Sequence, residues 1–386
     1  MRAPSPPLPD ASPDALAHGA QVAACLRAEI DAAGGWIPFP RYVELALYAP
    51  RLGYYCAGAR KLGPEGDFIT APEISPLFGA ALARQAAEVL AHGLDAILEV
   101  GAGSGALAAS MLEELERMGA LPTHYFILEL SADLRERSRD TLAARVPRLV
   151  ERVAWLNQLP PSFAGLVLGN EVLDAMPFAV VRVRDGTVEE AGVAARDDGF
   201  GWAWRPAPPA LAAEARRLGL PEGYQTEIGF TAQAFVRTLG ATLSRGVALF
   251  LDYGFPEREY YHPERARGTF RCHYRHRAHD DPFFLPGLQD ITTHVDFSAI
   301  SRTARATGLD LLGYTTQAHF LVNCGITDLL LRTPPEDAAR YLPQSAAVQK
   351  LVSPAEMGEL FKAIAFGRRF DAPLSGFRQG DRSAAL

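Results

Sequence analysis

Cysteine is scarce in this 386-residue chain: Cys25, Cys56, Cys272 and Cys324 are its four, far apart and without a Cys-x-x-Cys pair. That spacing disfavours a disulfide framework and a zinc ribbon, so a reducing cytoplasm is the expected compartment and no metal is expected. Positive charge is also short, with 38 Lys and Arg against 45 Asp and Glu for a net charge of −7. A protein that mainly neutralises a phosphate backbone needs the opposite balance, so nucleic acid is not an expected partner. No apolar run reaches the roughly 20 residues of a membrane helix, and the opening MRAPSPPLPDASPDALAHGA lacks an apolar signal core. That opening is Pro-rich, holds Asp10 and Asp14, and has Arg2 as its one base, unlike an Arg-rich, acid-poor transit peptide. Residues 1–20 are therefore expected to be a disordered tail. No internal repeat is visible either.

What remains is the composition of a folded globular chain, 48% hydrophobic and 22% charged, which excludes disordered, collagen-like and coiled-coil readings. The length suits more than one domain, or one α/β domain with a large insertion. Gln21 to Glu29 and Arg41 to Leu47 have helical patterns, a breaker-rich segment Gly63 to Glu73 follows, and Pro76 to Ala91 reads as an Ala-rich helix. Then β and α patterns alternate: strand Ala96–Val100, helix Ala106–Met118, strand His124–Glu129, helix Ala132–Ala144, strand Val153–Leu156 and strand Gly165–Gly169. Such alternation predicts a doubly wound, Rossmann-like α/β sheet. After Pro177 the rhythm turns to a hairpin or meander, Ala179–Arg184, Val188–Val193 and Phe200–Trp204, before a helix at Thr231–Leu243 and a buried strand at Val247–Asp252. A basic, aromatic loop (258–290), a helix at Val295–Thr307, and strands at Leu309–Tyr314 and Ala363–Phe366 complete the pattern. The expected organisation is a helical N-terminal extension (21–92), a core at 93–177 and 246–386, and an inserted β/α region at 178–245.

Glu99-Val100-Gly101-Ala102-Gly103-Ser104-Gly105 joins a strand to a helix, where glycines admit close approach of a ligand and the helix N-terminus offers unpaired N–H groups. A nucleotide-like ligand is expected there. With Ala106 in place of a third glycine and Glu129 about two dozen residues on, the dinucleotide fingerprint is met as well, so this pattern does not choose between ligands. A nucleophile elbow is excluded, because Gly103 rather than Ser occupies the middle position. Asn170, Glu171 and Asp174 crowd the carboxyl end of a strand, the edge at which open α/β sheets bind ligands, though Glu171 and Asp174 could instead cap a following helix.

Gly66-Asp67-Phe68-Ile69-Thr70-Ala71-Pro72-Glu73-Ile74, Glu99 to Gly105, Gly169-Asn170-Glu171-Val172-Leu173-Asp174-Ala175, Leu251 to Phe255, Arg267-Gly268-Thr269 and Thr292 to Phe297 run in order over most of the chain. Together they resemble the MidA-like family of class I S-adenosylmethionine-dependent methyltransferases, whose mitochondrial member is a protein arginine methyltransferase acting on a complex I subunit. The resemblance implies S-adenosyl-L-methionine as cofactor and a protein substrate, with a complex I subunit as one candidate, and it makes the extension at 21–92 a contributor to the cofactor pocket and the insertion at 178–245 the substrate-recognition region. It assigns Asp67, Thr70, Glu99, Gly101, Gly103, Gly105, Glu129 and Asn170 to the cofactor. Turn chemistry explains Asp67 equally well. Glu171 and Asp174 are the candidate catalytic carboxylates, able to hold a planar guanidinium and aim one nitrogen at the methyl group. An assembly factor using the cofactor as a structural ligand and a nicotinamide-dependent oxidoreductase are the alternatives. Cys272, His273, His276 and His279 superficially suggest a metal site, but interleaved Arg271, Arg275 and Arg277 oppose a cation. That basic loop is expected to line the substrate entrance or to pair with Asp280, Asp281 and Asp290. His294 and Asp296 are expected as cap material at a helix start.

Overall fold

Short apolar runs bounded by turn residues build one mixed sheet in the computed structural model, which describes residues 8–57 and 70–386. Its strands are β1 (Ala96–Val100), β2 (His124–Leu128), β3 (Val153–Leu156), β4 (Phe163–Asn170), β5 (Leu243–Phe255), β6 (Asp310–Thr316) and β7 (Phe361–Arg368). Their spatial order is β6-β7-β5-β4-β1-β2-β3, with the two-residue strand Val295–Asp296 beside the end of β5. The run from β3 to β5 is parallel, whereas β7 lies antiparallel to both neighbours. Winding reverses between β1 and β4, so the crevice of this sheet opens outside their carboxyl ends. Being parallel and central, β1 is buried along its whole length. Helices Pro76–Leu90 and Ala106–Met118 bury Phe78, Leu82, Met111 and Leu115 in the same core as Ile97, Leu166 and Leu249.

The chain forms two compact units, and this sheet belongs to the one made of 70–173, Gln233–Glu257 and Val295–Leu386 among the described residues. The other unit gathers 8–57, Asp174–Ala232 and Arg258–His294. It is built on an antiparallel sheet of Ala179–Arg184, Thr187–Arg196, Gly199–Pro206 and Gln225–Ile228, with Ile37–Pro38 at one end. Asp185 and Gly186 both have positive φ, 50° and 70°, as a two-residue type I′ hairpin requires. Val22, Leu26, Phe39 and Tyr42 pack with Phe178, Val180 and Val193 to form its core. Contacts thus group the N-terminal helices with the meander, and assign the helix at Phe230–Thr242 to the sheet unit from Gln233 on.

Three expectations are corrected. Residues 13–20 of the expected tail are helical: Pro13–Ala32 is one helix, capped by Ser12 accepting from the Ala15 N–H, and it buries Val22, Leu26 and Ile30. Burial of that apolar stripe stabilises the helix; residues 1–7 of the expected tail lie outside the described residues. The basic loop is not irregular, because Arg271–Tyr274, Arg277–His279 and Asp290–Thr292 pair as a small antiparallel sheet. No helix follows β4 within residues 171–178, so neither Glu171 nor Asp174 caps one. Among the described residues, no helix is long and apolar enough to cross a membrane.

Candidate functional site

The turn after β1 is left-handed at each of its glycines, with φ of 68°, 55° and 82° at Gly101, Gly103 and Gly105. At Gly101 a Cβ would stand 3.0 Å from Val172 Cγ2, and at Gly105 it would stand 2.9 Å from Ser138 Cα, so the turn is shaped by close approach as well as by backbone angle. Gly105 caps helix Ala106–Met118 without a side-chain bond, and Ser104 Oγ accepts from the Ala106 N–H at 3.3 Å.

Glu129 ends β2, one strand over. Its carboxylate accepts the Gly103 N–H at 3.1 Å and the Ser131 N–H at 3.0 Å, tying it to the glycine turn. Burial raises the pKa of Glu129 above the ordinary carboxylate range, opposed by these backbone donors. Glu99 lies within β1 itself, 2% exposed, and accepts the Tyr125 hydroxyl at 2.6 Å. Burial pushes its pKa up to about 7, the Tyr125 bond pulls it down, and the Glu129 charge adds to the rise.

Asn170 and Glu171 lie at the end of β4, across the reversal point from β1. Register places Gly169 beside Val100 and Asn170 beside Leu251, so the ends of β1 and β4 lie side by side while β5 continues past them to Phe255. Glu171 adopts a positive φ of 52° while its N–H still donates to Leu251 O at 2.9 Å. Glu171 Oε1 accepts the Asn170 Nδ2 group at 3.1 Å and the Ala71 N–H at 3.2 Å. Asn170 Oδ1 is buried with no hydrogen-bond partner among the described residues. Thr70 precedes the short helix Ala71–Ile74, makes no side-chain cap bond, and its carbonyl accepts the Glu73 N–H at 3.0 Å. Asp67 lies outside the described residues.

Two site features have no counterpart in the sequence assignment. Glu73 Oε1 accepts the Ser104 hydroxyl, linking the Thr70 segment to the glycine turn. Asp252, 1% exposed in β5, accepts the Val172 and Leu173 N–H groups through Oδ2 at 3.1 and 2.8 Å and the Tyr253 N–H through Oδ1 at 2.9 Å. It fixes the chain that leaves Glu171. Its place at a strand end inside one of the family-like motifs was the available signal.

In the other unit, Asp174 is 4% exposed and its carbonyl accepts the Thr293 N–H at 3.1 Å. Nearby, Tyr55 donates its hydroxyl to Asp290 at 2.9 Å. Buried Glu227 accepts from the Thr269 N–H, the Thr269 hydroxyl and the Phe270 N–H at 2.9, 3.1 and 3.3 Å, and Thr269 Oγ1 lies 3.0 Å from Thr293 Oγ1. Gly268 has to be glycine there, since a Cβ would lie 2.0 Å from Glu227 Oε1. Glu227 thus joins the motifs around Thr269 and Thr293 into one buried polar network. In the basic segment Cys272 faces His279 across the hairpin, and Arg271 pairs with Asp280 at 3.0 Å. In the sheet unit, Asp296 caps helix Phe297–Ala306 by accepting the Ala299 N–H at 3.0 Å.

Against known proteins, a family model described as S-adenosyl-L-methionine-dependent methyltransferase matches residues 81–315, more than half of the chain. A solved Burkholderia thailandensis structure with bound S-adenosyl-homocysteine is 54% identical, with a TM-score of 0.95 over 98% of this chain and 100% of that one. Among named relatives, the Drosophila melanogaster "Protein arginine methyltransferase NDUFAF7 homolog, mitochondrial" is 28% identical, covering 92% of this chain and 87% of that protein. The Mus musculus "Protein arginine methyltransferase NDUFAF7, mitochondrial" is 29% identical, covering 86% and 81%.

Proposed function

The chain belongs to this family of S-adenosyl-L-methionine-dependent methyltransferases, and we propose that it methylates arginine side chains of a protein acceptor. The arginine reading is supported by the names of relatives aligned over more than four-fifths of both chains. A respiratory-chain subunit is the acceptor proposed, with complex I as the first place to look, and the cytoplasm as the compartment, in keeping with the sparse, unclustered cysteines.

The residues present fit the cofactor. The observation that carries the reading is Glu129, a buried carboxylate at the end of the strand beside the glycine turn, whose oxygens accept the Gly103 and Ser131 N–H groups and are of the type that receives ribose hydroxyls. Asn170 Oδ1 adds a buried acceptor with no partner among the described residues. Thr70, Glu99, Gly101, Gly103 and Gly105 complete the proposed cofactor set, joined by Asp67 from the sequence resemblance. Glu99 acts from beneath, as a buried acid behind the turn rather than one displayed at its mouth. When bound, S-adenosylmethionine supplies an electrophilic methyl group on a sulfonium.

For transfer, alignment of a guanidinium nitrogen comes first, because arginine stays protonated before attack; as the N–C bond forms and the S–C bond breaks, that nitrogen sheds one N–H proton to solvent. Glu171 is the proposed acceptor-orienting carboxylate, its Oε1 accepting from the Ala71 N–H and the Asn170 amide. Asp174 is the second candidate. Glu171→Gln keeps an oxygen that can accept from Ala71 but removes the charge. It should leave S-adenosyl-homocysteine affinity within about twofold while slowing transfer roughly hundred- to thousandfold, the cost of one preorganised electrostatic group. The assay is mass spectrometry of arginine in respiratory-chain subunits incubated with enzyme and labelled cofactor. Methyl appearing on another side chain overturns the arginine reading, and full-rate transfer by the Gln variant removes Glu171 from alignment.

A further inference from the structure

Ser104 stands inside the glycine turn, yet its hydroxyl does not face away from the fold: it donates to Glu73 Oε1 and accepts the Ala106 N–H. Glu73 lies on the four-residue helix Ala71–Ile74, at whose other end the Ala71 N–H donates to Glu171. One short segment thereby bridges the carboxyl ends of β1 and β4, the two strands that flank the reversal point. Elsewhere the turn is held through its backbone, by Gly101 N–H to Leu128 O, Gly103 N–H to Glu129 and Gly105 N–H to Ala102 O. Its glycines carry no side chains, so Gly105 offers no side-chain cap to the helix it begins, and Ser104 is the one side chain of residues 103–105 that can anchor it.

From this geometry we propose that Glu73 is a positioning residue for the cofactor turn, acting through Ser104 and held to the acceptor strand by the Ala71–Glu171 bond. The proposal rests on the cofactor reading of the turn. Glu73 needs no contact with the cofactor for this: by fixing the Ser104 hydroxyl it fixes the oxygen that receives the Ala106 N–H, and with it the path of Gly103 to Gly105. Without the carboxylate, Ser104 can rotate and the turn samples the wide backbone freedom that glycine allows, which must be lost again on binding.

The test is calorimetric titration of S-adenosyl-homocysteine into the full chain, with thermal melts of the same samples without ligand. Glu73→Ala should weaken binding about tenfold to hundredfold, the range for a lost charge-assisted hydrogen bond. Ser104→Ala should weaken it similarly, and the double variant should bind no worse than the weaker single one, because both changes break one link. Glu73→Gln still accepts from Ser104 and should return affinity to within about threefold of wild type. Wild-type affinity in Glu73→Ala overturns the proposal, as does additive loss in the double variant. A ligand-free melt lowered equally in the Ala and Gln variants, with unchanged affinity in both, makes Glu73 purely structural. Wild-type protein that fails to bind the probe overturns the cofactor reading itself, a result separate from any outcome for Glu73.

Discussion

At the scale of single residues, the sheet unit concentrates carboxylates at strand ends, and each is given a different task by its surroundings. Glu129 meets two backbone N–H groups and remains suited to receive hydroxyl donors. Glu129→Ala should weaken S-adenosyl-homocysteine binding by about 1.5 to 3 kcal/mol, and calorimetry giving wild-type affinity in a folded variant removes it from the site. Glu99 is buried, with the Tyr125 hydroxyl as its donor and the Glu129 charge acting on it, so its proton is retained up to about pH 7. A carboxyl whose folded pKa is raised above the unfolded value favours the folded state at low pH and loses that advantage as pH rises through the folded value. Between pH 5 and 8 the loss is on the order of 2 to 3 kcal/mol. Glu99→Gln keeps an acceptor for Tyr125 without the titration. Its urea midpoint should therefore gain on wild type steadily across that window, and parallel pH profiles for the two proteins refute the buried-proton account.

At the scale of elements, Gly105 shows why the glycine turn cannot be idealised away. Gly105→Ala forces a Cβ into the left-handed region and to 2.9 Å from the Ser138 backbone. Strain of roughly 1 to 3 kcal/mol follows, together with displacement of the helix start from the strand. The expected result is a lower melting temperature accompanied by loss of cofactor binding, and a variant that melts and binds normally contradicts this packing. Here the sequence was highly legible: helix Ala106–Met118 and strands β1 and β3 fall where alternation and breakers set them. Legibility fails where stabilisation is remote in sequence. The strands around Cys272 carry Arg and His rather than β-branched residues, and they are held by pairing with Asp290–Thr292 and by apolar packing of Cys272 with Ile291. Helices Gln317–Asn323, Ile326–Leu330 and Ala338–Val352 were not read at all, the last because Pro343 inside it reads as a breaker. At the site the glycines, Glu129 and Asn170 were visible as motif positions. Glu73 and Asp252 were visible only as motif members, since their partners Ser104 and Val172 lie 31 and 80 residues away.

At the scale of the whole molecule, the sheet unit is assembled from three distant stretches of chain, and Glu114 shows how one such junction is fastened. It lies on the helix that begins at the glycine turn and is 5% exposed. Arg332, 218 residues later, grips it through two nitrogens at 2.7 and 2.9 Å, while Arg117 donates from the next turn of the same helix at 2.6 and 2.9 Å. Burial alone would raise the carboxyl pKa, but the hydrogen bonds from Arg332 and Arg117 outweigh it and hold the group at about 2. Both arginines are partly exposed and can return to water, so the full linkage value of about 3 kcal/mol overstates the cost of breaking the cluster. Glu114→Gln should cost about 2 kcal/mol at pH 7. A depressed folded pKa places this stabilisation above the unfolded value near 4.5 and removes it as pH falls toward 2. Wild type and variant should therefore converge in acid, with less than half of the neutral-pH difference left at about pH 3. Urea unfolding of both proteins from pH 7 to pH 3 measures it directly. A gap that stays constant means that Glu114 works by packing rather than by charge, and the C-terminal helices must then be anchored by their apolar contacts alone.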